Sequence, residues 1–195
     1  MDSATATFGG LELVTSPIVM TPRETSTGLV VCATDHLGGL PGVVVDVGTG
    51  SGAIALAVAK AAPHAAVWAT DVSSAAVELA RRNARRAGLN DRVTVRRGNL
   101  LDPLPGTADV IVANLPYLPL RERQSYPELA AEPVNAVFAE GDGLGLVRRL
   151  VGAARRRLTP DGLLALQIRG RIHAARRPEL RALEHLLAAP ASIAA

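Results

Sequence analysis

The sequence lacks the material for a disulfide or cysteine-based metal site. Its one cysteine, Cys32, excludes an internal disulfide framework and a thiolate zinc cluster, and His36, His64, His173 and His185 fall at no ligand spacing. Aromatic residues make up 3% of the 195 residues, namely Phe8, Trp68, Tyr117, Tyr126 and Phe138, so the core is built from Ala, Val and Leu. An aromatic outside that core needs a reason. No apolar run reaches the roughly 18 residues of a membrane span. The N-terminus also lacks the basic and apolar regions of a signal peptide, so the expectation is a cytoplasmic protein with no membrane partner. Lysine is nearly missing as well: Lys60 is the only one among 21 basic residues. A net charge of +3 over this length is a weak field, and basicity alone does not mark a nucleic-acid binder.

What remains is the composition of one folded domain: 48% hydrophobic, 20% charged, mean hydropathy +0.22. Residues 1–40 read as a preamble covering the pocket, with β-like runs at 11–14 and 17–20 and a helical stretch at 27–34. Residues 41–195 form the main domain. There, apolar strands at 43–47, 66–70, 93–97, 109–113 and 163–168 alternate with helical stretches at 53–62, 74–87, 144–158 and 178–188. Fully apolar strands separated by helices predict a three-layer α/β fold with a Rossmann-like, mostly parallel sheet buried on both faces. No terminal antiparallel hairpin is evident, which leaves 163–168 as an expected edge strand open to pairing with a second chain. The long irregular segment 115–142 is expected to be functional, with a short helix at 121–131.

Between the first of these strands and the next helix runs Asp46-Val-Gly48-Thr49-Gly50-Ser-Gly52. Its three glycines let the backbone turn sharply and let a ligand approach it, and the helix after them points its positive dipole end at that ligand. Asp71 and Val72 follow the next strand, where a carboxylate can accept hydrogen bonds from ribose hydroxyls. Dinucleotides and S-adenosylmethionine both use this layout. A G-x-G-x-G spacing with Asp46 inside the strand end departs from the dinucleotide G-x-G-x-x-G pattern and suits a cationic sulfonium and ammonium. A tight turn with no ligand is the plainer alternative. Asn99 and Leu100, after the third strand, are candidates to flank an adenine, although Gly-Asn is also an ordinary turn.

The fourth strand ends in Asn114-Leu115-Pro116-Tyr117, at the carboxyl edge of the sheet where ligands of such folds lie. The Asn114 side-chain oxygen and the Leu115 carbonyl can accept from one planar NH2 group while Tyr117 stacks on it, leaving the nitrogen lone pair toward the methyl donor. This segment resembles the Asn-Pro-Pro-Tyr signature of class I methyltransferases that modify planar nitrogens of adenine, cytosine or glutamine. Together with residues 20–26 (Met-Thr-Pro-Arg-Glu-Thr-Ser), the glycine loop and residues 132–144 (Glu-Pro-Val-Asn-Ala-Val-Phe-Ala-Glu-Gly-Asp-Gly-Leu), it is similar to the bacterial protein-glutamine N5-methyltransferases of peptide-chain release factors. The resemblance spans residues 17–168. It departs from the family pattern at Leu115, which stands for a proline; at Asn99, often Asp; at Ser26 and Thr27, where the family has Thr-Glu; and at Gln167-Ile-Arg169, usually Glu-Ile-Gly. The family's N-terminal helical domain is not recognisable.

The resemblance implies S-adenosylmethionine as methyl donor and a release-factor glutamine as acceptor, with Arg23 a weaker candidate for the substrate pocket. An adenine or cytosine in nucleic acid and a small metabolite remain alternative acceptors, and an inactive S-adenosylmethionine-binding paralogue is the non-enzyme alternative. Arg81, Arg82, Arg85 and Arg86, the arginines at 155–157, and Arg169, Arg171, Arg176, Arg177 and Arg181 could meet an RNA or acidic partner. A solvated helix face explains the helical clusters equally simply.

Overall fold

The apolar runs fold into a six-stranded sheet with helices on both faces. The computed structural model describes residues 4–188. In chain order the elements are β1 (Thr5–Phe8), β2 (Leu11–Val14), α1 (Thr27–Leu37), β3 (Gly42–Val47), α2 (Ala53–Ala61), β4 (Ala65–Asp71), α3 (Ser74–Arg86), β5 (Val93–Arg97) and β6 (Ala108–Ala113). There follow β7 (Leu118–Pro119), α4 (Val134–Val137), β8 (Phe138–Ala139), α5 (Gly145–Arg157), β9 (Leu158–Ile168), β10 (Arg171–Arg176) and α6 (Leu180–Ala188). The central sheet has the order β10-β9-β6-β3-β4-β5, parallel throughout except for β10.

Successive side chains of a strand face opposite sides, and both sides here are covered, so nearly every strand position must be apolar. Val44, Val110 and Val112 pack toward α1, α2 and α3. Val45, Ile111 and Ala113, their chain neighbours, pack toward α5 and α6. Small side chains let α2 sink deepest, with every residue from Ala53 to Ala59 buried. From β5 the chain crosses β4 and β3 to lay down β6. This reversal opens a crevice at the carboxyl ends of β3, β4 and β6.

The first forty residues share this core. Leu29, Ala33 and Leu37 of α1 belong to the same cluster as α2 and α3. The β1–β2 hairpin is fastened by Asn83 of α3, which accepts from Val14 N–H at 2.9 Å and donates to the carbonyls of Val14 (3.0 Å) and Ser51 (2.9 Å). Residues 17–20 form no strand. Only a single bridge, Ser16 to Val19, marks the expected run.

Three further expectations are corrected. The strand at 163–168 is not an edge, because β10 pairs antiparallel along it. The turn between them is Arg169-Gly170, with φ of +48° and +76°, a hairpin signal weaker than Asn-Gly. The strand expected at 163–168 begins earlier, at Leu158, and its register against β6 shifts between Ala108 and Val110 to absorb the added residues. The segment 121–131 forms two short 3-10 turns, Leu120–Ser125 and Pro127–Leu129. Among the described residues, no helix is long and apolar enough to cross a membrane, and no group of three or more His, Cys, Asp or Glu could hold a metal.

Asn83 is 1% exposed, so its removal strands three backbone groups. Asn83→Ala is expected to lower unfolding free energy in urea by on the order of 3 kcal/mol. A loss below about 1 kcal/mol would show that the hairpin is held by apolar packing alone.

Candidate functional site

Asp46, the penultimate residue of β3, is fully buried. Its Oδ2 accepts from Thr49 Oγ1 at 2.6 Å and from the backbone N–H of Ala55, in the first turn of α2, at 3.1 Å. One carboxylate oxygen therefore ties strand, loop and helix together, and it caps the positive end of α2. Its Oδ1 is buried without a partner. Burial pushes the Asp46 carboxyl up to about 6, against the opposing hydrogen bonds from Thr49 and Ala55 and with a small upward push from Asp71.

The loop beyond it needs glycine for both conformation and space. Gly48, Gly50 and Gly52 have φ of +74°, +56° and +86°. A Cβ on Gly48 would lie 2.7 Å from Leu115 Cδ2, so the leucine of Asn114–Tyr117 packs directly on the loop. The N–H groups of Gly48 and Thr49 bond to Thr70 O at 2.8 and 3.0 Å, and that of Gly50 bonds to Asp71 Oδ2 at 3.0 Å.

Over the loop lies a cavity of about 430 Å³, walled by Gly48, Gly50, Asp71, Val72, Asn99, Leu100, Asn114, Leu115 and Pro116. Val72, 69% exposed, lies in this wall. Leu100 holds φ of +48°, a conformation rare for its residue type, and its carbonyl accepts from Thr70 Oγ1 at 2.8 Å. Asp71 accepts one backbone N–H on each carboxylate oxygen, Gly50 on one and Ser73 on the other, and retains lone pairs for further donors. A recess of about 60 Å³ adjoins this cavity at Gly48, Gly50 and Asn114, with Arg23, Ser26, Thr49 and the first residues of α2 in its wall. Arg23 Nε is buried there without a partner, while its Nη2 pairs with Glu132 Oε1 at 3.1 Å.

The segment 115–142 folds over Asn114–Tyr117 as a structured cap. Leu118, Val137 and Phe138 form its own small core, against which Met20, Tyr117 and Tyr126 pack. Glu132 accepts from Thr21 N–H at 3.0 Å as well as from Arg23, clasping the cap to the chain before α1. Gly143 closes the other end, where a Cβ would stand 2.3 Å from Tyr117 O.

Three sequence-predicted residues sit differently from their neighbours. Asp46 and Gly52 lie behind the loop, in the wall of neither cavity nor recess, with Gly52 packed on Ala80. Tyr117 also stays out of that wall: its ring packs with the cap, and burial pushes its phenol up while the Gly170 N–H and the Arg23 and Arg169 charges pull it down. Two residues not singled out as functional join the site instead. Asn114 Nδ2 donates to Ser26 Oγ at 3.2 Å, and Ser26 Oγ donates to Gln167 Oε1 at 2.7 Å. Both are among the positions where the sequence departs from the family pattern, which was the available signal. The arginines Arg155, Arg156, Arg177 and Arg181 line a separate groove of about 590 Å³ beside α5, away from the loop. It brings together no second kind of polar group.

A mostly parallel sheet with a glycine loop, a carboxylate behind it and an Asn-x-Pro-Tyr turn at the switch point defines a methyltransferase-type fold. The chain belongs to the methyltransferase small domain family, which it matches over residues 24–132. It is 44% identical to the release factor glutamine methyltransferase of Gloeobacter violaceus over 168 residues, 84% of this chain and 59% of that protein. It is 47% identical to the ribosomal protein uL3 glutamine methyltransferase of Bordetella pertussis over 126 residues, 64% of this chain and 42% of that one. The matched region thus spans 59% of the first relative's length and 42% of the second's. The crystal structure of a ribosomal protein L11 methylase from Lactobacillus delbrueckii subsp. bulgaricus shares the fold, with a TM-score of 0.56 at 23% identity over 89% of this chain and 71% of that one.

The raised Asp46 carboxyl has a sign that can be measured. The folded state keeps this proton up to about pH 6, the unfolded chain only to its ordinary value of 3.8, so the folded form binds more protons in between. The contribution to stability is greatest below the lower value, declines as pH rises toward the upper one, and totals on the order of 3 kcal/mol. In Asp46→Asn, urea unfolding between pH 4 and 7 should lose that decline. A variant with an unchanged pH slope would place the titration elsewhere.

Proposed function

We propose that this chain carries the catalytic portion of an S-adenosylmethionine-dependent N-methyltransferase. The proposed acceptor is the side-chain amide of a protein glutamine, as in a peptide-chain release factor. Asn114 carries the reading: it ends β6 on the wall shared by cavity and recess, and its amide nitrogen is committed to Ser26. Its Oδ1 is left to accept a hydrogen bond from a planar NH2 group. The names of the relatives above, glutamine methyltransferases of a release factor and of ribosomal protein uL3, support the same acceptor class.

The residues suit the methyl donor. Arg23 Nε, unpartnered in the wall of the recess, complements a ligand carboxylate, and the unpartnered Asp46 Oδ1 behind the loop favours a cationic ligand end by its charge, without touching it. Gly48, Thr49 and Gly50 would receive that end, with Gly52 closing the turn onto α2, Asp71 the ribose hydroxyls beside Val72, and Asn99 and Leu100 the adenine. When bound, the donor supplies an electrophilic methyl group on a sulfonium. The protein's part is orientation. An amide nitrogen is a poor nucleophile, and acceptance of its two hydrogens by Asn114 Oδ1 and the Leu115 carbonyl both aims its lone pair and shifts electron density onto it. Pro116 stiffens the turn that presents these acceptors. Tyr117 braces the turn from the cap side, and burial of Leu115 against Gly48 couples it to the loop.

The test is labelled methyl donor added to a cell extract with this protein, followed by protease or nuclease treatment. Label lost to protease and absent with Asn114→Ala supports the reading. Label lost to nuclease would assign a nucleobase instead, label in the small-molecule fraction a metabolite, and donor binding without any transfer an inactive paralogue. Asn114→Ala should lower kcat by about 10²–10³ with donor Kd changed only a few-fold. An equally active variant would remove Asn114 from the chemistry.

A further inference from the structure

Four polar side chains from three segments form one line behind the cavity wall. Asn114 Nδ2 donates to Ser26 Oγ (3.2 Å), Ser26 Oγ to Gln167 Oε1 (2.7 Å), and Gln167 Nε2 to Thr25 Oγ1 (3.2 Å). Ser26 and Gln167 are 4% and 3% exposed, so the middle of the line is closed to water. Ser26 lies in the turn before α1, Asn114 at the end of β6, and Gln167 near the end of β9, the neighbouring strand. Apolar side chains would fill the same space without the cost of burying the Ser26 hydroxyl and the Gln167 amide.

The line has a direction, and that direction matters for the site. A hydroxyl has one proton, and Ser26 spends its proton on Gln167 Oε1. Toward Asn114 it can only accept, so it meets Nδ2 and leaves Oδ1 on the other side of the amide. With the line reversed, Ser26 would donate to Asn114 Oδ1, and Nδ2 would replace the oxygen facing the cavity. A donor there repels an incoming NH2 group where an acceptor is needed. An amide has nearly the same shape either way round, so packing alone cannot choose. The choice rests with the hydrogen bonds behind it.

We propose that Ser26 and Gln167 are positioning residues that fix the sense of the Asn114 amide, holding Oδ1 toward the acceptor nitrogen; this rests on the methyl-transfer reading above. The line is uncharged from end to end, so it holds this sense at every pH at which the protein is folded. A carboxyl at position 167 would change that. Ionised, it accepts from Ser26 as Gln167 does. Protonated, it can donate to Ser26 and reverse the line.

The experiment compares Ser26→Ala, Ser26→Thr, Gln167→Leu and Gln167→Glu with the parent protein for kcat, donor KM and thermal unfolding. Ser26→Ala and Gln167→Leu should lower kcat about 10–10²-fold with donor KM within about twofold, the scale of a displaced catalytic group. Ser26→Thr, which keeps the hydroxyl, should restore the rate. Gln167→Glu should work near the parent rate at alkaline pH and gain an acid limb that the parent lacks. Wild-type kcat in both Ser26→Ala and Gln167→Leu would overturn the proposal. So would a loss that tracks donor binding and thermal stability and is not restored by Ser26→Thr, since that marks a packing role. A second readout does not depend on turnover. The Asn114 side-chain NH2 resonances should exchange slowly with solvent and show contacts to the Ser26 β-protons, and Ser26→Ala should speed that exchange. Equal exchange in both overturns the proposal. Slow exchange in a protein that methylates nothing would instead overturn the functional reading alone.

Discussion

The buried carboxylate of Asp46 is the interaction on which the rest of the site depends. Placing an acid at zero exposure in an Ala–Val–Leu core is costly, and its carboxyl at about 6 is the measure of that cost. In return, one oxygen joins the end of β3, the loop hydroxyl of Thr49 and the first turn of α2. The glycines can then adopt left-handed conformations without leaving the loop free to wander. Because β3 lies at the centre of the sheet, beside the crossover to β6, the same anchor places the loop at the mouth of the crevice. The remaining oxygen, Oδ1, stays buried without a partner in the protein.

Around this anchor two covers come from separate parts of the sequence. The stretch before α1 brings Arg23 and Ser26 to one side, and the cap after β6 brings Glu132 and Gly143 to the other. Glu132 holds the two covers together through Thr21 and Arg23. Asn114 sits where they meet, with Leu115 on the glycine loop and Ser26 behind its amide. On the proposed reading, the covers select the planar nitrogen and the sheet holds the donor.

Much of this was legible in the sequence because its signals are local. Largely apolar strands such as 43–47 and 109–113 announce a sheet covered on both faces, and alternate glycines mark the loop whatever the rest of the chain does. Asn114 could be placed because a strand end in a parallel sheet is itself a position in space. Long-range features left weaker traces. β10 is made of Arg, Ile, His and Ala and is held by pairing to β9, not by its own propensity. The cap has strands of two residues, too short to carry a period. Ser26 and Gln167 lie 141 positions apart, and they meet because α1, which Ser26 precedes, packs on β6 and β9. The strand-end position of Tyr117 suggested a stacking wall, yet the cap, invisible to local pattern, draws its ring into a different core.

A crystal structure of the protein with S-adenosylmethionine tests the central claim most directly. The account predicts the donor in the cavity over Gly48 and Gly50, its amino-acid end on the loop, its adenine against Leu100 and its methyl group turned toward Asn114 Oδ1. A donor bound elsewhere, or bound there with its methyl turned away from Asn114, would contradict it.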